Sequence, residues 1–525
     1  MDNLIENFNK TGNQNIFEEV IDLMMVDELG EKHGIDNEFK NKLKNLPTEQ
    51  KRIIILGMLE KTSSRPLFMK IKALTDKNIN RMEHIKDVIL MLREYVKVGE
   101  VEKKKFGEVM TPLDLVKEML QTLPEEVWSN PNLKWLDPAN GTGPFPAMVI
   151  YKLMEGLKEW EPDDNKRYKH IIENMIYVSE LQPKNMFLWL CVADPFDEYL
   201  TNIYTGSFLD EGFDNHMKDV WGVEKFDIVI GNPPYQEPIL DNKRSRPLYD
   251  QFTMKSLPLT NKLLFVFPSR WLTGGFGLNK FRKQMFKSKN IKIIKHFDDA
   301  TKIFGKSVDI VGGVSYYLFD NKYNGFPKYN GIEINLSEFD IFVENKYRNI
   351  LRKILSNSNR FLSEICNSQS YFGFPGNNSL FSKIVKKDYI KVYVSKQKGF
   401  ENYVSLNDIK DKNKINGFKV FTTAANGEKP CFGNKILGYP NEVASKSYMV
   451  LLINSEEEGK SLISYMNTKF CNFFLSLRKK TQNMKPDTLK WIPLVPFDRE
   501  WADEQLFEYF NLSEDERELI NERDN

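Results

Sequence analysis

The sequence predicts an α/β protein: a doubly wound, mostly parallel sheet, preceded by a helical N-terminal segment and followed by an irregular α+β domain. Three observations predict it. Between about residues 106 and 322, strand-like apolar runs alternate with helical stretches. Two of those runs end in loops rich in Gly, Pro and Asn, where an open α/β sheet binds its ligands. The chain has 525 residues, 41% hydrophobic and 28% charged, enough for two or three cores.

Residues 1–100 read as helical. Phe17, Val20, Ile21, Met24 and Met25 recur at helical spacing, as do Ile85, Val88, Ile89, Leu92 and Val96. Residues 101–330 form the α/β domain, with strands expected at 134–136, 176–180, 202–206, 226–231, 263–268, 291–297 and 311–319. The last two, joined by a short loop, have the spacing of an antiparallel hairpin. From 331 to 497 lysine, asparagine and aromatics mix with short strand-like runs at 390–394 and 418–421, which reads as a separate α+β domain. The tail, 498–525, is acidic and reads as helical.

Composition excludes several classes. The net charge of +1 provides no global basic field, so a polyanion must be met by local patches. Cys191, Cys366, Cys431 and Cys471 are far apart and form no CxxC pair, which fits reduced thiols in a cytoplasmic protein. The five histidines lack metal-ligand spacing, so no metal is expected. There is no apolar run of membrane-spanning length and no signal-peptide pattern.

Four elements carry chemistry. Asn232-Pro233-Pro234-Tyr235 ends the apolar run 226–231. Two prolines stiffen the loop and remove two donors while leaving two carbonyl acceptors. The Asn232 oxygen and the Pro233 carbonyl suit the two hydrogens of an amino group, and the Tyr235 ring suits a flat base. Further upstream, Thr111, Pro112 and Asp114 have the pattern of an N-cap, a first-turn proline and a capping box. The 137–143 loop, Asp137-Pro138-Ala139-Asn140-Gly141-Thr142-Gly143, joins a strand to a helix expected over 144–157. Its glycines permit close approach of a ligand, and Asp137 suits a cationic amine. Pro146 occupies the last position of a GxGxxG pattern, which argues against a dinucleotide. Glu180, at the end of the next strand, suits ribose hydroxyls, and Leu181 an adenine face.

Taken in order, Thr-Pro, Asp-Pro-x-x-Gly-x-Gly, Glu and Asn-Pro-Pro-Tyr resemble the S-adenosylmethionine-dependent DNA adenine-N6 methyltransferases, in the arrangement of their gamma group. The stretches Pro268-Ser269-Arg270-Trp271, Ile303-Phe304-Gly305 with Gly312-Gly313-Val314-Ser315-Tyr316-Tyr317, and Leu477-Arg478-Lys479-Lys480-Thr481-Gln482 resemble the Eco57I type of restriction–modification methylase. The resemblance spans roughly 106–510. It implies a Rossmann-like methyltransferase sheet, a target-recognition domain over 331–497, and S-adenosylmethionine as cofactor. It further implies that Thr111, Asp137, Pro138, Gly141, Gly143, Glu180, Leu181 and Asn232 hold that cofactor. Asn232, Pro233, Pro234 and Tyr235 would do the chemistry, with Tyr235 and Phe304 stacking on a flipped adenine. One departure concerns the adenine end of the cofactor, where Ser207 stands in place of the family's usual aspartate; Ser207 and Phe208 are the expected contacts there.

The implied partner is duplex DNA, with a separate restriction endonuclease as a further partner. Lys243, Arg244, Arg246, Arg270, Arg478, Lys479, Lys480 and Gln482 are the expected DNA contacts. The release-factor glutamine methyltransferases share the Asn-Pro-Pro-Tyr loop, so a protein amide or RNA is an alternative substrate. A fused nuclease is another alternative, although Asp87 with Glu102-Lys103-Lys104 matches a nuclease signature only at chance level.

Overall fold

The computed structural model describes Ile85 and residues 111–523, apart from 195–197, 238–245, 276, 306–309, 375–379, 395–400 and 428–429. The expected N-terminal helical segment, apart from Ile85, therefore lies outside the described residues, as do Lys243 and Arg244. The chain divides into two compact units that meet at 340/341.

The first unit is a nine-stranded sheet. Its strands are β1 (Trp135–Asp137), β2 (Ile176–Glu180), β3 (Asn202–Thr205), β4 (Phe226–Gly231), β5 (Thr260–Pro268), β6 (Ile291–Phe297), β7 (Val314–Asp320), β8 (Lys328–Tyr329) and β9 (Ile332–Glu333). They lie in the order 3-2-1-4-5-7-6-8-9. The first five pair parallel, as the alternating pattern predicts. β2 is buried at every position and β4 at all but one. Central parallel strands covered on both faces read as continuous rather than alternating apolar runs.

Helices return the chain between strands: α1 (Leu113–Leu120) precedes β1, then come α2 (Pro144–Gly156), α3 (Asp164–His170), α4 (Pro183–Ala193), α5 (Glu211–Asp219), α6 (Tyr249–Ser256), α7 (Asn279–Lys287) and the short α8 (Thr301–Phe304). In α2 and α4 a proline at the helix start fixes φ where no intrahelical donor is needed. The core joins α1, α2 and α4 to the sheet through Val116, Met119, Val149, Ile150, Leu153, Met186 and Trp189.

β6 and β7 do pair antiparallel, but not as a tight hairpin. The 298–313 connection carries α8, and β7 lies between β5 and β6. Residues 331–340, read from the sequence as the start of the next domain, belong to the first unit. β9 pairs with β8 there.

The second unit, from 341, holds two small sheets. Four strands, β10 (Cys366–Asn367), β13 (Phe418–Thr423), β14 (Lys435–Gly438) and β16 (Tyr448–Ile453), run in the order 10-16-13-14. Three more, β11 (Tyr389–Tyr393), β12 (Asn402–Ser405) and β15 (Glu442–Ala444), run 12-11-15. Val392, Val404, Phe421, Val443 and Val450 share one core. Helices α9 (Asn345–Asn357), α10 (Glu456–Asn467), α11 (Lys469–Arg478), α12 (Asp503–Tyr509) and α13 (Glu514–Glu522) complete it. The acidic tail is helical and packs within this unit. Phe470 stacks on Phe510 at 4.9 Å between ring centroids, and Lys353 pairs with Glu516 at 2.7 Å.

Candidate active site at the switch point of the sheet

The strand order reverses between β1 and β4, since β2 and β3 extend to one side and β5 to the other. Two loops therefore leave neighbouring strands in opposite directions and open a crevice at the C-terminal edge. They are the loops singled out in the sequence, 137–143 after β1 and 232–235 after β4. Their approach is close. A Cβ on Gly231, whose φ is +155°, would lie 2.7 Å from Asp137 Oδ1, so only glycine lets the two loops meet.

The first loop is tied to the end of β2. Gly141 N–H donates to Glu180 Oε2 at 2.7 Å, Gln182 N–H to Glu180 Oε1 at 2.8 Å, and Asn140 N–H to Ser179 O at 3.0 Å. Glu180 thus shapes the glycine loop. Each carboxylate oxygen can accept more than one hydrogen bond, so this use is compatible with holding ribose hydroxyls. Gly143 caps α2 with φ +89°, and a Cβ there would overlap the Trp189 indole at 2.2 Å. Leu181 is 54% exposed at the strand end, an apolar side chain facing solvent beside the loop.

Asp137 is the most perturbed group in this crevice. It is 2% exposed, Ala139 N–H donates to Oδ1 at 3.1 Å, and Oδ2 has no partner among the described residues. Burial, with Glu180 nearby, pushes its carboxyl up to about 8, against the pull of the Ala139 bond. Asn140, which sequence reasoning left without a role, has a buried Oδ1 with no partner among the described residues. A buried carboxylate oxygen and a buried amide oxygen, both orphaned on a glycine loop, form an acceptor set suited to a cationic amine.

The second loop is held from both ends. Asn232 Nδ2 donates to Thr111 Oγ1 at 3.0 Å, across 121 residues of sequence. With its donor committed there, the amide's acceptor is the end that a target amine can use. Thr111 is 3% exposed, and no side chain caps α1, whose N-cap is Pro112. The expected capping box therefore does not form; the hydroxyl is used on the 232–235 loop instead. Beyond Tyr235, Glu237 N–H donates to Arg246 O at 2.8 Å, and Gln236 bridges to Pro247. The Tyr235 hydroxyl is buried, which raises its pKa above the ordinary tyrosine value.

Of the other expected residues, some serve the interior and some face solvent. Ser207 Oγ accepts from Leu209 N–H at 3.2 Å in the turn after β3. Phe208 is 1% exposed, its ring enclosed by Phe213 and Phe252 at 4.8 and 5.4 Å between centroids, so it is a packing residue here. Phe304 ends α8 and packs at the margin of the core. Arg246 and Arg270 are exposed.

The C-terminal basic run splits in two. Arg478 is buried, donates to Asp487 O and Oδ2 at 2.9 Å each, and lies 4.4 Å over Trp491. Lys479 is 5% exposed and donates to Gly427 O at 3.0 Å. These two anchor the chain and are not presented to a polyanion, contrary to the sequence expectation. Lys480 and Gln482 reach the surface, although the protein packed around the Lys480 ammonium, with Arg523 nearby, lowers its pKa to about 8.

Residues 149–304 match the family model described as Eco57I restriction-modification methylase. This part of the chain resembles such a methylase. The matched stretch runs from within α2 to the end of α8 and contains Glu180, residues 232–235, Arg270 and Phe304. An uncharacterised adenine-specific methylase of Mycoplasma pneumoniae is 26% identical over 325 residues, covering 49% of this chain and 76% of that relative.

Among solved structures, the modification subunit of a type I restriction enzyme from Vibrio vulnificus YJ016 matches at 17% identity and a TM-score of 0.34. The match covers 55% of this chain, which spans 63% of that subunit's length. The DrdV–DNA complex matches at 11% identity and a TM-score of 0.49 over 94% of this chain and 70% of that one. No described helix is long and apolar enough to cross a membrane.

Proposed function

We propose that this chain transfers a methyl group from S-adenosylmethionine to N6 of an adenine turned out of duplex DNA, as the modification activity of a restriction–modification system in the cytoplasm. The observation that carries this reading is the meeting of two loops at one switch point: an acidic glycine loop with orphaned buried acceptors, and a stiff Asn-Pro-Pro-Tyr loop oriented by Thr111. The methylase family match over 149–304 and the adenine-specific relative support the reaction class and the target base.

The residues present fit the cofactor. Asp137 and Asn140 would accept from its ammonium group, Glu180 would hold its ribose hydroxyls, and Leu181 would cover an adenine face. When bound, the cofactor supplies an electrophilic methyl group on a sulfonium. The protein's part is to orient and stabilise. The lone pair of an adenine amine is delocalised into the ring, so the amine is a poor nucleophile. The Asn232 oxygen and the Pro233 carbonyl accept its two hydrogens, favouring the pyramidal geometry of the transition state over the planar ground state. Prolines 233 and 234 keep those acceptors in place without reorganisation. The methylated amine, positively charged once the new N–C bond has formed, would shed a proton that passes along one of these hydrogen bonds to solvent, since neither carbonyl oxygen is basic enough to keep it. Tyr235 gives the extruded base a stacking surface, worth roughly 1–3 kcal/mol against the cost of leaving the helix.

The test is transfer of a labelled methyl group from S-adenosylmethionine to duplex DNA, RNA and protein offered separately. Label in N6-methyladenine of duplex DNA is the expected result; label only in RNA or in glutamine side chains would overturn it. Sequencing the methylated DNA then gives the recognition site.

A further inference from the structure

The second unit carries an exposed loop that the site at the sheet edge does not use. Residues 383–387 read Lys-Ile-Val-Lys-Lys. Ile384 is 69% exposed and Val385 61%, two adjacent β-branched side chains turned to solvent. Lys383, Lys386 and Lys387 beside them are exposed as well, and no acid falls within the five residues. The loop is pinned at both ends. Ser382 and Tyr403 exchange backbone hydrogen bonds of 2.8 Å, and Ser382 Oγ bonds the Ile384 carbonyl and amide at 2.9 and 3.0 Å. On the other side Leu406 N–H donates to Asp388 O at 2.9 Å, with Asp388 in the left-handed region at φ +65°. Directly after it, β11 enters the core through Ile390 and Val392. A firmly based loop thus presents an apolar tip between ammonium groups.

We infer that residues 383–387 form a DNA-contacting wedge, in which Ile384 and Val385 enter a groove and press on a base step while Lys383, Lys386 and Lys387 contact the flanking phosphates. This rests on the reading of the chain as an enzyme of duplex DNA. Two adjacent apolar side chains left this exposed favour a partner that covers them. A covering partner must also tolerate three cations within a few residues. The grooves of DNA provide both an apolar base step and a rim of negative charge, and apolar wedges flanked by basic residues are used in this way by proteins that unstack DNA. Lysines contribute to affinity without sequence, and the tip contributes deformation energy that depends on the step.

Two variants of the full chain test this: Ile384→Ser with Val385→Ser, and Lys386→Gln with Lys387→Gln. Both change exposed positions, so thermal unfolding and calorimetric binding of S-adenosylmethionine should match the parent protein. Binding to short duplexes of mixed sequence is read by anisotropy across a salt series. The lysine variant should weaken binding to all duplexes alike and lower the salt slope by about 1 for each phosphate no longer neutralised. The serine variant should bind about tenfold more weakly at every salt concentration with the slope unchanged, since the interaction it removes is apolar.

If both variants bind duplexes as the parent does, the wedge is wrong; a change in self-association alone would identify the loop as a protein-docking surface and equally overturn it. The parent protein's methyl transfer, measured alongside, separates the two readings. Methylation that is indifferent to the loop sinks only the wedge. Loop-dependent binding by a parent that transfers no methyl group sinks only the enzymatic reading.

Discussion

Residues 232–235 and residues 478–482 are both short, distinctive stretches, yet they behave in opposite ways. The first lies where its sequence places it, at the end of β4 in the crevice beside Asp137. The second reads as a basic patch for phosphates, but Arg478 and Lys479 are buried and bonded to Asp487 and Gly427. What separates them is how much of their role is local. Proline fixes φ, a strand fixes where its following loop emerges, and the strand order fixes what that loop meets. A run of cations carries no such local instruction. Whether an arginine faces DNA or its own chain depends on the tertiary partners that fold around it.

The strongest way to break this contrast is to remove Asn232. Asn232→Ala deletes the oxygen proposed to accept from the target amine, and methyl transfer should fall by about 10³-fold, the scale of losing a preorganised donor or acceptor at a transition state. Calorimetric binding of S-adenosylmethionine should survive, because Asp137, Asn140 and Glu180 remain. Retained turnover would place the chemistry elsewhere. Thr111→Val is the finer version. It removes the hydroxyl that meets Asn232 Nδ2 and should lower kcat while leaving the KM for DNA nearly unchanged, with Thr111→Ser restoring it.

Arg478→Ala should be felt as stability. It breaks charge-assisted bonds to Asp487 and the stacking over Trp491, for a loss of about 2–3 kcal/mol in denaturant unfolding. The salt dependence of DNA binding should stay as it was. An unchanged unfolding midpoint with a shallower salt slope would instead restore Arg478 as a phosphate contact, and the contrast would fail.

Asp137 sharpens the comparison from the side of the crevice. Its folded-state carboxyl is held at about 8, whereas the unfolded chain ionises near the ordinary 3.8. The folded protein therefore keeps a proton that the unfolded chain has released. The stability tied to that proton is fully present below about pH 4 and declines as pH rises, levelling off once pH passes about 8. Asp137→Asn, which mimics the protonated acid, should gain stability over the parent by a margin that grows from about pH 4 to about pH 8 and is flat beyond, read in denaturant unfolding across that range. The same change should weaken cofactor binding by about tenfold through loss of a charged acceptor. Parent binding should release a proton below pH 8, detectable as a buffer-dependent calorimetric heat.

Much of the fold was legible for the same reason as the 232–235 loop. β2, β4 and β6 fall on the runs read from the sequence, because apolar strands bounded by turns carry a local signature. The insertion of β7 between β5 and β6 was not legible, since nothing in a strand's sequence names its lateral neighbour. Nor was the use of Thr111. A threonine before a proline and a helix has the capping pattern, and only the long-range bond to Asn232 shows where its hydroxyl goes. Asn140 carries no such signal in the sequence, because a polar residue in a glycine loop is ordinary until burial leaves its oxygen orphaned. Phe208 was expected beside a ligand because aromatic type is visible in sequence and enclosure by Phe213 and Phe252 is not.

The smallest effect tests whether the second stretch keeps any role toward DNA. Lys480 and Gln482 are exposed beyond the buried anchor, and the backbone there is held by the bond from Asn426 N–H to Gln482 O at 3.2 Å. Arg478 and Lys479 would then act as a foundation that presents their neighbours. Lys480→Ala with Gln482→Ala should leave the unfolding midpoint in place, because both residues reach the surface. Duplex binding should weaken about threefold, the scale of one exposed phosphate interaction, with the salt slope lower by about 1. The opposite result, reduced stability with intact binding, would mean that the whole run serves the interior.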